Sequence, residues 1–183
     1  ANLPPATPVK IATKVINEEK KKPCFAGDTP ILTPSGHKRI DTIREGDLVL
    51  TRSEHEPIGS VEPRVVEEVF VGTGQLWKVR VGGRTIDTTG EHPFWVVDRG
   101  WVATRELQPG DRFLGHDDQV IAVEEVAETG KVTTVYNIRL AEHHTYFVGC
   151  DEWGFSVWAH NASIVIHQWT FLPGPGHVSV EVV

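Results

Sequence analysis

Four short stretches of this chain carry residue types that can act on a peptide bond. The first is His160-Asn161-Ala162. An Asn side-chain amide reaches its own backbone carbonyl carbon, closes a five-membered succinimide and expels the next residue's nitrogen. A His just before it can polarise that carbonyl. The second is Cys24. A thiolate is the strongest ordinary side-chain nucleophile, and attack on the carbonyl of Pro23 would turn that amide into a thioester, an N-to-S acyl shift. The third is Thr89-Gly90-Glu91-His92. A His there can protonate a departing backbone nitrogen, and the Thr hydroxyl can orient the carbonyl. The fourth is His143-His144 at the head of an apolar stretch, where strand alternation sends one ring inward. An inward His beside Asn161 could take a proton from its amide. Each stretch also has a plainer explanation: a surface dipeptide, a buried core Cys, a turn, a packed His. The chemistry requires a fold that brings residue 24 to residue 161.

The elements that would do this are strands. From Cys24 to about residue 161, runs rich in Val, Ile, Thr, Phe and Trp alternate with Gly, Pro and Asp punctuation. We expect strands at Leu48–Thr51, Val61–Val71, Leu76–Val81, Arg84–Thr88, Pro93–Val97, Arg112–Leu114, Val120–Val126, Val132–Leu140, His144–Val148 and Phe155–Trp158. Long helical patterns are absent from this region, so the class is all-β, a barrel or sandwich. Upstream, residues 11–22 read as a helix with a charged end, stopped by Pro23. Downstream, residues 162–171 read as a further strand. The stretch Gly36–Leu50 aligns without gaps on Gly100–Leu114. Each copy has a Gly, a helical turn, then Gly-Asp and a strand, which implies two pseudo-symmetric halves.

Composition bounds the rest. With 39% hydrophobic and 23% charged residues, the chain reads as a soluble globular protein. Its 183 residues suffice for one domain with flanks. A net charge of −7 without a basic run argues against nucleic acid as the main partner. No apolar run has membrane-spanning length. The absence of Met suggests a piece of a larger polypeptide. Two Cys define no disulfide scaffold. Cys150 is expected in a turn away from Cys24.

Taken together and in order, the stretches resemble the Hint superfamily, the shared fold of inteins and the Hedgehog autoprocessing domain, and most of all its bacterial intein-like or pretoxin branch. Cys24-Phe25-Ala26-Gly27-Asp28-Thr29 is similar to the first splicing block, with Cys24 as initial nucleophile. Thr89-Gly90-Glu91-His92 resembles the T-x-x-H block, with His92 activating the upstream amide. Tyr136-Asn137 and His144-Thr145-Tyr146-Phe147-Val148 resemble the penultimate block, with His144 assisting Asn cyclisation. Val157-Trp158-Ala159-His160-Asn161 resembles the terminal block. The resemblance implies a flattened all-β horseshoe of curled β-hairpins with pseudo-two-fold symmetry and both domain ends in one site. It implies residues 1–23 as an upstream flank, 24–161 as the autoprocessing domain and 162–183 as a downstream flank. The substrate would be the chain's own flanks, processed once, by a monomer, with no cofactor and no native metal. A visiting zinc on Cys24, His92, His144 and His160 would inhibit. The pretoxin branch would place the parent in a secreted or cell-surface bacterial protein.

Three positions depart from the family pattern. Ala162 stands where a splicing intein has Cys, Ser or Thr to accept the acyl group, which favours cutting over splicing. Asn137 stands where many inteins have Asp, which can tune the nucleophile by charge. Pro23 crowds the scissile carbonyl before Cys24. Three other readings compete: a non-catalytic module that kept the fold, Hedgehog-like transfer to an external nucleophile, and a papain-like protease using Cys24, His92 and Asn137. The strand-rich texture opposes the last.

Overall fold

A computed structural model of the chain describes residues 22–162. Twelve strands pair antiparallel into one continuous sheet. In chain order they are β1 (Phe25–Ala26), β2 (Pro30–Thr33), β3 (Gly36–Arg39), β4 (Leu48–Thr51), β5 (Glu62–Val81) and β6 (Arg84–Thr89). Then follow β7 (Pro93–Val96), β8 (Gly100–Ala103), β9 (Arg112–Leu114), β10 (Val120–Leu140), β11 (Thr145–Cys150) and β12 (Phe155–His160). Both expected flank elements, the helix over 11–22 and the strand over 162–171, lie outside the described residues but for Lys22 and Ala162.

The expected class holds, and so does most of the strand pattern. The correction concerns length. The runs read as Val61–Val71 and Leu76–Val81 are one strand of 20 residues, β5, and Val120–Val126 and Val132–Leu140 are one of 21, β10. Gly72, Gly74 and Gly130 look like strand ends in the sequence. Here β5 and β10 pair from Val66–Val81 against Val123–Leu140, and the extra residues are absorbed by a register shift between Glu128 and Val132. Gly74 faces Thr89 and Val135 so closely that an added Cβ would sit 3.0 Å from the Thr89 methyl. That glycine lets β5 pass beneath the site.

The internal repeat folds as two equivalent corners. Ile40 N–H donates to Thr29 O at 2.9 Å, and Thr104 N–H donates to His92 O at 2.9 Å. Gly46 and Gly110 adopt φ of 89° and 92°, a region open mainly to glycine. Their N–H groups donate to Val66 O and Val123 O at 2.9 and 2.8 Å. The Asp47 and Asp111 carboxylates accept from Arg44 N–H and Gln108 N–H. Each half therefore turns a short strand through a 3₁₀ turn and a Gly-Asp corner onto one of the long strands. Ile40, Phe25, Phe94, Phe113, Val148 and Val157 fill the core between the halves. A separate cluster of Trp95, Trp101 and Trp158 packs under the end of β12.

Candidate active site

Sheet order brings the two ends of the described chain together. The two-residue strand β1 lies between β6 and β10, with Phe25 opposite Thr88 on one side and Tyr136 on the other. On the far side, β12 runs between β11 and β7 and ends at His160. Cys24 and Pro23 are buried. The Cys24 amide nitrogen donates to Thr89 Oγ1 at 3.0 Å. The Cys24 carbonyl accepts from Thr88 Oγ1 at 3.0 Å and from Thr89 N–H at 2.9 Å. The nitrogen that would leave in an acyl shift is thus fixed by the Thr of the T-x-x-H stretch.

Asn137 is the meeting point. Its Nδ2 donates to Pro23 O at 2.8 Å and to Asn161 O at 2.7 Å. Its Oδ1 accepts from Ile138 N–H at 2.8 Å and from Tyr146 Oη at 2.7 Å. The amide orientation follows from this network, since only NH₂ can donate twice and only the oxygen can accept twice. Both carbonyls that chemistry at Cys24 and Asn161 would attack therefore share one donor side chain. A charged Asp here would turn oxygens against both carbonyl oxygens.

At the downstream end, Ala162 N–H donates to His160 Nδ1 at 3.1 Å. Asn161 N–H donates to His144 O at 2.7 Å, and Asn161 Nδ2 donates to Ile138 O at 3.1 Å. His160 lies edge-on to Trp101 at 5.0 Å and parallel to His144 at 6.2 Å. His92 is fully buried, 4.0 Å from the Phe25 ring, with Nε2 3.5 Å from Tyr146 Oη.

Burial sets the electrostatics. It pushes the Cys24 thiol up to about 11, against a smaller opposing pull from Lys22. It holds His92 down to about 3, opposed by the Pro93 carbonyl, and His160 down to about 4, opposed by Glu54. Both imidazoles are neutral near pH 7 and serve first as hydrogen-bond partners. Burial also raises Tyr146 well above its ordinary range, so its hydroxyl stays protonated and donates to Asn137.

Residues 30–162 match the family model of the pretoxin HINT domain. The chain belongs to the pretoxin Hint family. The bacterial intein-like domain from Clostridium thermocellum is 35% identical, at a TM-score of 0.67 over 75% of this chain and 98% of that one. A DnaB intein from Synechocystis sp. PCC 6803 is 22% identical, at 0.63 over 78% and 99%. The gp41-1 intein is 22% identical, at 0.61 over 76% and 98%. These last two share the fold. Comparison with curated proteins gives no match. The pretoxin Hint fold is that of autoprocessing domains, which act on the flanks of their own precursor.

Within this pretoxin Hint domain, Cys24, Thr89, Asn137 and Asn161 join one hydrogen-bonded cluster with Pro23, and His160 meets Ala162. His92 reaches it through Tyr146. The His143-His144 pair needs a correction. Strand β11 begins at Thr145, one residue later than expected, so alternation does not govern the pair. His143 is the less exposed side chain, at 14%, and faces Glu62, whereas His144 is 47% exposed. The four residues named for a visiting, inhibitory zinc do not form a metal-competent group; among the described residues the metal-competent trio is His37, Cys150 and Glu152. Cys150 ends β11 rather than sitting in the turn, and both Cys are free. Two polar partners escaped the sequence reading. Tyr146 sits in an apolar run that reads as core, although a buried phenol needs a hydrogen-bond partner. Glu54 lies in a loop with no local signal.

Proposed function

We propose that this domain cuts its own chain at both ends, with residues 1–23 and 162–183 as the flanks it releases. At the upstream end, Cys24 Sγ attacks the Pro23 carbonyl carbon. The new S–C bond replaces the C–N bond to Cys24, and the thiol proton ends on the freed amine. Water or an added thiol then takes the acyl group. At the downstream end, Asn161 Nδ2 attacks its own carbonyl carbon. The C–N bond to Ala162 breaks, and the proton lost by Nδ2 is matched by one delivered to the Ala162 nitrogen at His160. His92 and His144 assist the two ends respectively. With Ala162 as the next residue, no side chain accepts the acyl group, so the ends are cut and not joined.

One observation carries this reading: Asn137 Nδ2 donates to both Pro23 O and Asn161 O. Negative charge grows on those oxygens during attack, and a fixed donor at each is worth about 10²–10³ in rate. The ends are unequal in readiness. A thiol at about 11 leaves roughly one molecule in 10⁴ as thiolate at pH 7. Upstream cutting should accordingly speed up as pH rises towards that value. The test is the mass of the products formed on incubation. Wild type yields a fragment ending at Asn161, and added thiol yields one ending at Pro23. Cys24→Ala loses only the second and Asn161→Ala only the first. A chain that stays whole, with or without thiol, favours a fold-only module.

A further inference from the structure

The loop between β4 and β5 is tied to the downstream end by a buried cation. Arg52 is 2% exposed, lies 5.5 Å over both Phe147 and Trp158, and donates from Nε to Gly59 O at 2.9 Å. Its Nη2 pairs with Asp118 at 2.8 Å. Its carbonyl accepts from Thr145 Oγ1, and Thr51 Oγ1 donates to Thr145 O at 2.6 Å. This anchoring fixes Glu54 next to His144. The Glu54 side chain is only 8% exposed, and its Oε1 lies 2.6 Å from His144 Nδ1.

We propose that Glu54 is a positioning residue for downstream cutting, acting through His144; the role rests on the self-cleavage reading above. An ionised carboxylate only accepts, so the proton of this short contact belongs to His144 Nδ1. That leaves the lone pair of neutral His144 on Nε2, the nitrogen free to act as a base. Burial is the largest single influence and would raise the Glu54 carboxyl, but the hydrogen bond from His144, backbone N–H bonds from Glu54 and His144, and the nearby imidazole together hold the group below its ordinary range. Glu54 is therefore charged where the domain would work. The same charge favours a proton on His160, against burial and the neighbouring His144. The other titratable groups facing this cluster are His55, 3.9 Å from Glu54, and His143, which turns to Glu62. Attack by Asn161 strips one amide proton and returns one to the Ala162 nitrogen. A carboxylate behind the paired imidazoles stabilises the positive charge that passes between them.

The test uses the full chain purified uncut, with the two ends read separately. Glu54→Leu should slow formation of the Asn161 fragment by about 10²-fold. Thiol-induced release at Pro23 should stay within about twofold, because Glu54 touches nothing at that end. Glu54→Asp should recover part of the rate. Nitrogen-15 spectra of the imidazoles should show neutral His144 as the Nδ1–H form in wild type and as Nε2–H in Glu54→Leu. Equal slowing of both ends would make Glu54 merely structural. A wild-type His144 in the Nε2–H form would overturn the proposal even with cleavage intact. A wild type that never cuts at Asn161 would remove the parent reading, while the spectra would still report whether Glu54 fixes the ring.

Discussion

Asn137→Ala is the most discriminating perturbation, because one side chain serves two reactions, one 24 residues away in the sequence and the other 114. Removing it takes away a donor at 2.8 Å from Pro23 O and one at 2.7 Å from Asn161 O. Each loss should cost about 10²–10³ in rate, or roughly 3–4 kcal/mol of barrier. Both ends should fall together by comparable factors. The substitution also removes the acceptor of the Ile138 N–H and leaves the Tyr146 hydroxyl only its 3.5 Å contact with His92 Nε2, which costs about 1–3 kcal/mol of stability. A melting curve must therefore show that the variant is folded at the assay temperature. Fragment formation is then followed by intact mass, at the Asn161 end without thiol and at the Pro23 end with it. Asn137→Asp sharpens the test. A carboxyl donates only when protonated, and burial raises its pKa. Its residual cutting should therefore decline as pH rises, opposite to the thiol-driven trend at Cys24. The reasoning is refuted if Asn137→Ala leaves either end within tenfold of wild type while the other collapses, since a shared donor cannot be selective.

Tyr146→Phe removes the hydrogen bond that holds Asn137 Oδ1 and should slow both ends by about tenfold, less than Asn137→Ala; paired rate measurements check it. Thiol-induced release at Pro23 should rise about tenfold per pH unit between 7 and 10, following ionisation of a thiol near 11; a flat profile would exclude the thiolate route. Ala162→Cys supplies the missing acceptor and should yield a joined product of residues 1–23 and 162–183, visible by mass; Cys24→Ala in the same chain should abolish it. Acid should destabilise the fold. His92 and His160, depressed to about 3 and about 4 from 6.5, resist protonation in the folded state but not in the unfolded one. Stability is complete above pH 6.5 and falls through the window from 6.5 towards 4. Each group contributes on the order of 1.4 kcal/mol per pH unit, read by denaturant titration.

The strand class and the paired corners could be read from the sequence because they rest on local chemistry. Gly46-Asp47 and Gly110-Asp111 need a positive φ and a side-chain acceptor within three residues, and both needs show in the letters. The length of β5 and β10 could not be read, since Gly72, Gly74 and Gly130 end a strand unless a partner strand absorbs them. The Cys24, His92 and Asn161 stretches stand out because reactive residue types fall in a recognisable order. Glu54 does not stand out. It meets His144 across 90 residues, through an anchor at Arg52 whose burial only the fold creates. Tyr146 was half visible: its strand is buried on both faces, so the hydroxyl had to bond something, but the sequence could not say that the partner was Asn137.

Asn137 also explains how two ends can be coupled without charge. Phe25 pairs with Tyr136 and Ala26 with Val135, which sets Pro23 and Cys24 against Asn137. Register shifts at Glu128/Val132 and Arg139/Leu140 bracket that stretch of β10. A slip of one residue would send the Asn137 side chain to the opposite face and leave Ile138 there, so these irregularities fix the site. The neighbouring residue completes the geometry, because Ile138 O accepts from the Asn161 amide nitrogen while Asn137 Nδ2 holds the Asn161 carbonyl. The attacking nitrogen and the attacked carbon are thus gripped by consecutive residues of one strand. A movement of β10 that improves one end must move the other, whereas an Asp at this place would link them through its protonation state. Coupling through a rigid neutral amide predicts that mutations shifting β10, such as Gly74→Val, disturb both cuts. A Cβ added at that glycine would lie 3.0 Å from the Thr89 methyl and 3.2 Å from Val135, so a branched side chain would push against both.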